Sequence, residues 1–380
     1  MKISCGILVG LLYWSYYGGK GDTIYFFEQA QALFHYFKTD RISFLEWIGL
    51  NPLPLTHAEF SAQSEPRTLF FVRTLSFFCA LTQSNYFTIS IYFSFITAIV
   101  GWYFVKTISG LSHVNKYVAA FAFLFIPSVT FWSSGVLKET MMMMFLFVFG
   151  ISIVKWTQNF KNWYYVIPLI ISLWILWKVK YYVPITLVPI VFITLLFSQN
   201  AIFNNHKFSS KLVLYFVSII VCGMSFAFLH PVFNSGRFFE LVRISHDTIV
   251  ENTSEALIDF TSNNNDALFF LFNLPKAWIT GIFGPYFWEA FSTFSLFWIV
   301  EKTIFTTLSI LALFISFRVK FTEQEKWWGI AIILYCSALS TVITLSSPNY
   351  GSLVRYQVAY MPFLWYLVLM VLNKHKLNLK

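Results

Sequence analysis

Long apolar runs recur along this chain and leave little sequence between them. They cover residues 3–17, 86–105, 117–133, 139–154, 163–177, 181–197, 211–230, 294–317, 327–345 and 356–372. A helix needs about 20 mostly apolar residues to cross a hydrocarbon core roughly 30 Å thick. The runs therefore predict an all-α, polytopic transmembrane helical bundle of about ten spans, forming a single integral membrane domain over residues 1–380. A soluble fold is excluded on surface grounds. Only 11% of the residues are charged and 57% are hydrophobic, whereas soluble domains carry about 25% charged residues to cover their exteriors.

The formal charge of +9 raises nucleic acid as a partner, but the basic residues stand singly in short loops and form no stripe. Their placement fits the excess of Lys and Arg on the cytoplasmic side of membrane proteins. Membrane lipid, and no nucleic acid, is the expected partner. Cys5, Cys79, Cys222 and Cys336 lie far apart inside apolar runs, so neither a CxxC pair nor a disulfide framework is present. The seven histidines form no HExxH and no close ligand pair, which predicts no metal site and no cofactor.

Residues 68–82 are short for a span and carry Arg73 at their centre, which costs about 2.5–3.5 kcal/mol in a lipid-facing helix. They are read as a dipping or interfacial helix, with Arg73 and Glu65 paired to seat it. With ten spans and both termini cytoplasmic, the inner side gathers thirteen Lys and Arg residues, Lys2 among them, against Glu323 and Glu325. A spanning 68–82 would flip every later loop and turn the acidic stretch 231–290 inward, which the positive-inside rule disfavours. The expected location is the cytoplasmic (inner) membrane. Lys2 and its apolar run resemble a signal peptide, but no small-x-small site follows, and Trp14, Tyr16 and Tyr17 form an exit belt suited to a retained helix.

Two outer segments carry the non-lipid sequence. The first, 18–67, opens with Gly18-Gly19-Lys20-Gly21-Asp22-Thr23 and becomes amphipathic. Ile24, Phe27, Ala30, Phe34 and Phe37 share one face, and Glu28, Gln31, His35 and Lys38 the other, which predicts a juxtamembrane helix lying in the membrane plane. The second, 231–290, ends in the aromatic run from Trp278 to Phe291, where Pro275, Gly281, Gly284 and Pro285 are expected to interrupt helix. Asn252-Thr253-Ser254 matches a glycosylation acceptor by chance. No solenoid repeat is present.

Charged residues gather at the outer ends of the spans: Asp22, Lys138-Glu139, Lys178, Lys180, Arg237, Arg243 and Arg355. Cations around one or two carboxylates suit a phosphate-bearing lipid substrate, with Lys138, Lys180, Arg243 and Arg355 neutralising phosphate while a carboxylate takes a hydroxyl proton. Each has a local alternative. Asp22 and Glu139 sit where helices begin and favour the positive helix end, Glu139 with Lys138 as an ion-pair partner. Lys178 and Lys180 suit snorkelling, and Arg355 suits interfacial anchoring.

Gly21-Asp22 directly after the first span, the amphipathic helix behind it, the turn Pro127-Ser128-Val129-Thr130-Phe131-Trp132-Ser133-Ser134-Gly135-Val136-Leu137-Lys138-Glu139 and the late Arg355-Tyr356 together resemble the GT-C superfamily. These are polytopic glycosyltransferases that use polyprenyl-phosphate-linked sugars. The resemblance implies a polyprenyl-phosphate-sugar donor, a glycan or lipid acceptor, and an inverting transfer in which Asp22 takes the acceptor proton. Glu139 is the nearest match to the second acidic position. Two features depart from the commoner pattern: Lys138 stands beside that second acid, and a clear Asp-x-Asp is missing. The Phe-Trp-Ser-Ser-Gly turn with Lys-Glu also resembles bacterial surface-polysaccharide assembly proteins, including repeat-unit polymerases. A third reading is a non-enzymatic carrier or flippase of lipid-linked sugars. The spans read as nearly free of midplane charge, which favours a one-sided enzyme over a carrier.

Overall fold

The structure is a computed structural model that describes the chain save residues 57–59, 112–114, 200–207, 230–234, 254–256, 290–292 and 379–380. Ser254 of the glycosylation-like triplet and Phe291 of the aromatic run lie outside the described residues, as does most of the 198–211 loop. Among the described residues there is no strand, only an isolated bridge between Leu257 and Asn349. The helices pack as two units, Met1–Tyr181 and Tyr182–Lys380.

Among the described residues, six helices are long and apolar enough to cross a membrane: Tyr86–Ser109, Lys138–Gln158, Trp163–Lys180, Phe208–Ser225, Ser295–Ser316 and Glu323–Ser346. Tyr350–Ala359 and Met361–Lys376, bent by 64°, make a seventh if taken together. The chain is a multi-pass helical membrane protein. The other three runs form the shorter apolar helices Lys2–Ser15, Lys116–Phe125 and Tyr182–Ser198, so the expectation of ten spans exceeds the helices that reach full length. Two causes are visible. Lys2–Ser15 has 14 residues, a rise of about 21 Å. Run 117–133 breaks at Ile126, whose ψ of 124° is the extended backbone that a following proline imposes.

Unit 1 contains α1 (Lys2–Ser15), α2 (Asp22–Lys38), α3 (Phe44–Ile48), α4 (Pro66–Thr82), α5 (Tyr86–Ser109), α6 (Lys116–Ala120), α7 (Pro127–Trp132), α8 (Lys138–Gln158) and α9 (Val166–Lys180). As its 3.6-residue pattern predicts, α2 buries Ile24, Phe27 and Ala30, joined by Phe26 and Leu33, and packs on α4. Its opposite residues Glu28, His35 and Lys38 are exposed. The α4 helix is continuous and buries Phe71, Val72 and Leu75 completely. Its Arg73 donates to the Glu46 carbonyl at 3.1 Å and lies over Gly49, whose φ of +91° ends α3. The expected Arg73–Glu65 pair is therefore not made: the two residues are more than two helical turns apart, and Glu65 accepts from Thr68 instead.

Contacts along α1 fix its register on α5. Gly10 lies against Tyr86, while Gly6 lies against Ser90 and Ser94, and Ser90 donates to the Gly6 carbonyl at 2.8 Å. The antiparallel pairing places Lys2 beside the middle of α5 rather than at its far end. Lys2 is buried and donates to the Ser133 carbonyl at 2.9 Å and to its hydroxyl at 2.5 Å. The lysine counted above with the inner-loop cations is thus enclosed by protein. The α5 and α8 helices end together, as the packing of Phe104 on Phe147 and Gly150 shows, so Lys106 and Lys155 in their last turns share one end of the unit.

Unit 2 contains α10 (Tyr182–Gln199), α11 (Phe208–Leu229), α12 (Ser235–Asn252), α13 (Asp266–Phe283), α14 (Thr293–Ser316), α15 (Glu323–Ser346), α16 (Tyr350–Tyr356) and α17 (Met361–Asn378). Helix α15 is its hub, packing on α10, α12, α13 and α17. A capping box of Thr322 and Glu325 starts α15. The Glu325 carboxylate also accepts from Lys374 at 2.5 and 2.7 Å, and Lys211 reaches Glu323 at 3.4 Å. Residues 211, 318–326 and 374 therefore share one end. Pro275 and Gly281 do not interrupt helix as expected, because α13 runs through both and stops at Gly284. Gly281 serves close packing: a Cβ there would meet Thr344 Oγ1 at 2.6 Å.

Candidate functional site

The chain enters the site of unit 1 through a glycine turn. Gly18, Gly19 and Gly21 have φ of +62°, +76° and +109°, backbone that residues with a Cβ rarely adopt. At Gly21 a Cβ would also meet the Tyr13 ring at 2.7 Å. This turn delivers Asp22 as the first, exposed residue of α2. Thr23 behind it is fully buried and donates to the Val136 carbonyl at 2.7 Å. Its only hydroxyl hydrogen being used, it accepts from the Tyr86 hydroxyl at 2.8 Å. One threonine thus ties the start of α2 to the 133–137 turn and to α5.

That turn is seated by a second set of neutral contacts. Gly135, with φ of +77°, donates from its N–H to Ser94 Oγ at 2.9 Å. Its missing side chain leaves room for Ser90 Oγ and the Gly6 carbonyl, which a Cβ would meet at 3.1 and 3.2 Å. Three residues later the turn becomes α8 and presents Lys138 and Glu139.

Here the charges interleave. Lys138 donates to the Thr68 hydroxyl at 2.8 Å, and that hydroxyl donates to Glu65 at 2.5 Å. The Lys138 ammonium lies 4.5 Å from the centre of the Phe26 ring and within electrostatic reach of Lys180, Glu139, Glu65 and Asp22. Glu139, only 3% exposed, is paired with Lys180 of α9 at 3.1 Å, and Lys138 is also within its electrostatic reach. On the rim, the Arg67 guanidinium sits 3.8 Å from the centre of the Tyr181 ring. Lys178 is exposed, as a snorkelling residue would be. Four predicted residues, Asp22, Lys138, Glu139 and Lys180, come together, and Glu65, Arg67 and Thr68 join them unforeseen. The signal for the last three was present in the polar step Glu65-Pro66-Arg67-Thr68 at the head of α4, where Pro at the first helical position marks the start.

An apolar cavity of about 240 Å³ opens among the helices that carry this cluster. Met141 and Met144 on α8 line it, with Phe70, Thr74 and Phe78 on α4 and Ile175 on α9. Met141 follows Lys138 by one turn and Phe70 follows Thr68 within one turn, so the greasy slot begins next to the polar head. Charge at one end and hydrocarbon at the other can hold an amphiphile with an anionic head. Among the described residues no three of His, Cys, Asp and Glu come together as metal ligands.

Arg243 and Arg355 belong to unit 2. Arg243 is committed locally: it pairs with Asp247 at 2.9 Å, donates to the Asn263 carbonyl at 3.4 Å and covers the Phe269 ring at 4.3 Å. Arg355 donates to the Tyr356 hydroxyl at 3.1 Å. Just beyond it, Gln357 donates to the Gly281 and Gly284 carbonyls, each at 3.0 Å, so the bend between α16 and α17 braces the end of α13. Tyr350 donates to the Glu289 carboxylate. Sequence reading also passed over Glu301 and Lys302, both buried within α14, although two charges inside an apolar run are a signal in themselves.

No family model matches the chain, and neither a curated protein nor a solved structure shows a significant match to it.

Proposed function

We propose that the protein is a membrane glycosyltransferase that moves a sugar from a polyprenyl-phosphate donor to an acceptor, with inversion, at the end of unit 1 that carries Asp22. The observation that supports it most is the join between the Lys138–Lys180 cluster and the apolar slot below it, a shape matched to a phosphate head on a hydrocarbon tail. Lys138 and Lys180 neutralise the departing phosphate, and Glu139 holds Lys180 in place. Asp22, the exposed carboxylate of the group, takes the proton of the attacking hydroxyl as that oxygen bonds to the anomeric carbon and the carbon–phosphate-oxygen bond breaks. Phosphate is a good leaving group, so no general acid is required. A preorganised cation at the leaving oxygen is worth about 3 kcal/mol in the transition state.

The experiment is transfer of labelled sugar from a synthetic polyprenyl-phosphate donor by the reconstituted protein, with a panel of glycan and lipid acceptors. Asp22→Asn is expected to abolish transfer while donor binding persists, and unchanged transfer removes the base from the scheme. A second reading, a carrier of lipid-linked sugars, is favoured by Glu301 and Lys302 inside α14. Donor crossing proteoliposomes without sugar transfer supports it over the enzyme.

A further inference from the structure

Lys302 is 1% exposed and, among the described residues, its Nζ has no hydrogen-bond partner. It lies seven residues past Ser295, where the apolar window of α14 begins, about 10 Å along the helix. One turn to either side on the same face are Trp298 and Phe305, both buried. The Phe305 ring meets Trp365 of α17 at 5.0 Å and Phe283 of α13 at 6.0 Å. Glu301 is the neighbouring charge, but adjacent helical positions point about 100° apart.

Two further buried polar atoms have no hydrogen-bond partner among the described residues: Ser309 Oγ, two turns along α14 from Lys302, and the indole Nε1 of Trp365, whose ring meets Phe305. All three can donate a hydrogen bond, and one of them is a cation. Ionisable side chains persist inside membrane helices where something pairs with them, and among the described residues no hydrogen-bond acceptor meets the Lys302 ammonium, with Glu301 within electrostatic reach. An oxyanion with several acceptor oxygens answers both the charge and the donors. The opposite side of α14 exposes Phe297, Val300 and Ile304, so the anion reaches this depth most directly on a lipid.

We propose that the α14–α17 seam binds the phosphate monoester head of a membrane lipid, with Lys302 as its counter-ion and Ser309 and Trp365 as neutral donors along the seam. The site is separate from the cluster of unit 1 and stands whether or not that cluster transfers sugar.

The test is photolabelling of the full chain in phosphatidylcholine nanodiscs with a diazirine-bearing long-chain alkyl phosphate, followed by mapping of labelled peptides. A diazirine alkyl glucoside with the same chain is the neutral control. Labelling of peptides within 293–316 and 361–376 by the phosphate probe is expected, falling roughly tenfold in Lys302→Met, as loss of a charged hydrogen-bonding partner implies, and surviving in Lys302→Arg. Lys302→Met removes a buried charge, so it is expected to fold, and gel filtration checks this. Equal labelling of Lys302→Met and the unmodified protein overturns the proposal, as does the same Lys302 dependence with the glucoside. Displacement of the probe by millimolar inorganic phosphate overturns the lipid source by assigning the site to a free anion, and resistance to displacement supports it.

Discussion

The ammonium of Lys180, at the last turn of α9, lies 3.1 Å from the Glu139 carboxylate in the first turn of α8, with side chains only 13% and 3% exposed. The neighbouring Lys138, which donates to Thr68, also lies within electrostatic reach of this carboxylate. The pair joins α8 to α9 beside Lys138, which is within electrostatic reach of Lys180 and of Asp22.

Removing one member of this pair leaves the other with weaker compensation. Lys180→Met is expected to destabilise the protein by about 3 kcal/mol by breaking the ion pair of the buried Glu139. The double variant Glu139→Met with Lys180→Met should recover most of that loss. Thermal unfolding in detergent of the two single variants and the double closes the cycle, and an additive result would mean the pair carries no coupling.

Thr23→Val keeps the shape of the side chain and removes both hydrogen bonds, leaving the buried Val136 carbonyl and the Tyr86 hydroxyl without their partner. A loss of about 1–3 kcal/mol is expected. Because Asp22 immediately precedes Thr23, the proposed sugar transfer should fall further than stability accounts for. Comparing kcat with the unfolding midpoint of the same preparation separates the two effects.

Gly135→Ala puts a Cβ at a φ of +77°, which costs about 1–2 kcal/mol for a left-handed residue, and presses on Ser90 and the Gly6 carbonyl. A lowered melting temperature is the expected result. Added Ser90→Ala should relieve the contact and leave the backbone cost, so partial recovery distinguishes the two.

In unit 2 burial raises the Asp247 carboxyl, but hydrogen bonds from His246 and Arg243 outweigh it and hold the group below its usual range. A depressed carboxyl stabilises the fold above its unfolded value of about 3.9, and that contribution fades as pH falls through the lower folded value. Protection of the α12 amides from hydrogen exchange, taken relative to the intrinsic rate at each pH, is therefore expected to fall as the medium is taken below about pH 4. Asp247→Asn should show the faster exchange at neutral pH with less dependence on acid.

Much of this was legible from sequence because it is local. The α2 face follows a 3.6-residue period, Gly21-Asp22 announces a tight entry, and Pro127 to Glu139 contains its own stop and restart. Pairings between helices were not legible in the same way. That Glu139 faces Lys180 depends on the register of α8 against α9, and Lys2 lies beside Ser133 because α1 is shorter than α5. Glu65 chose the hydroxyl three residues ahead over an arginine two turns away. Glu301 and Lys302 were visible in the sequence, but an apolar run judged by its average conceals two charges within it.

The hydrogen bonds that Thr23, Tyr86, Ser90, Ser94 and Gly135 contribute to the site are all between uncharged groups. Counter-ions in the medium weaken attractions between exposed charges and leave enclosed neutral hydrogen bonds nearly untouched. For the proposed phosphate-bearing donor, raising the salt concentration should therefore loosen the grip on the substrate while these neutral contacts stay intact, so that the apparent Michaelis constant climbs and the melting temperature holds.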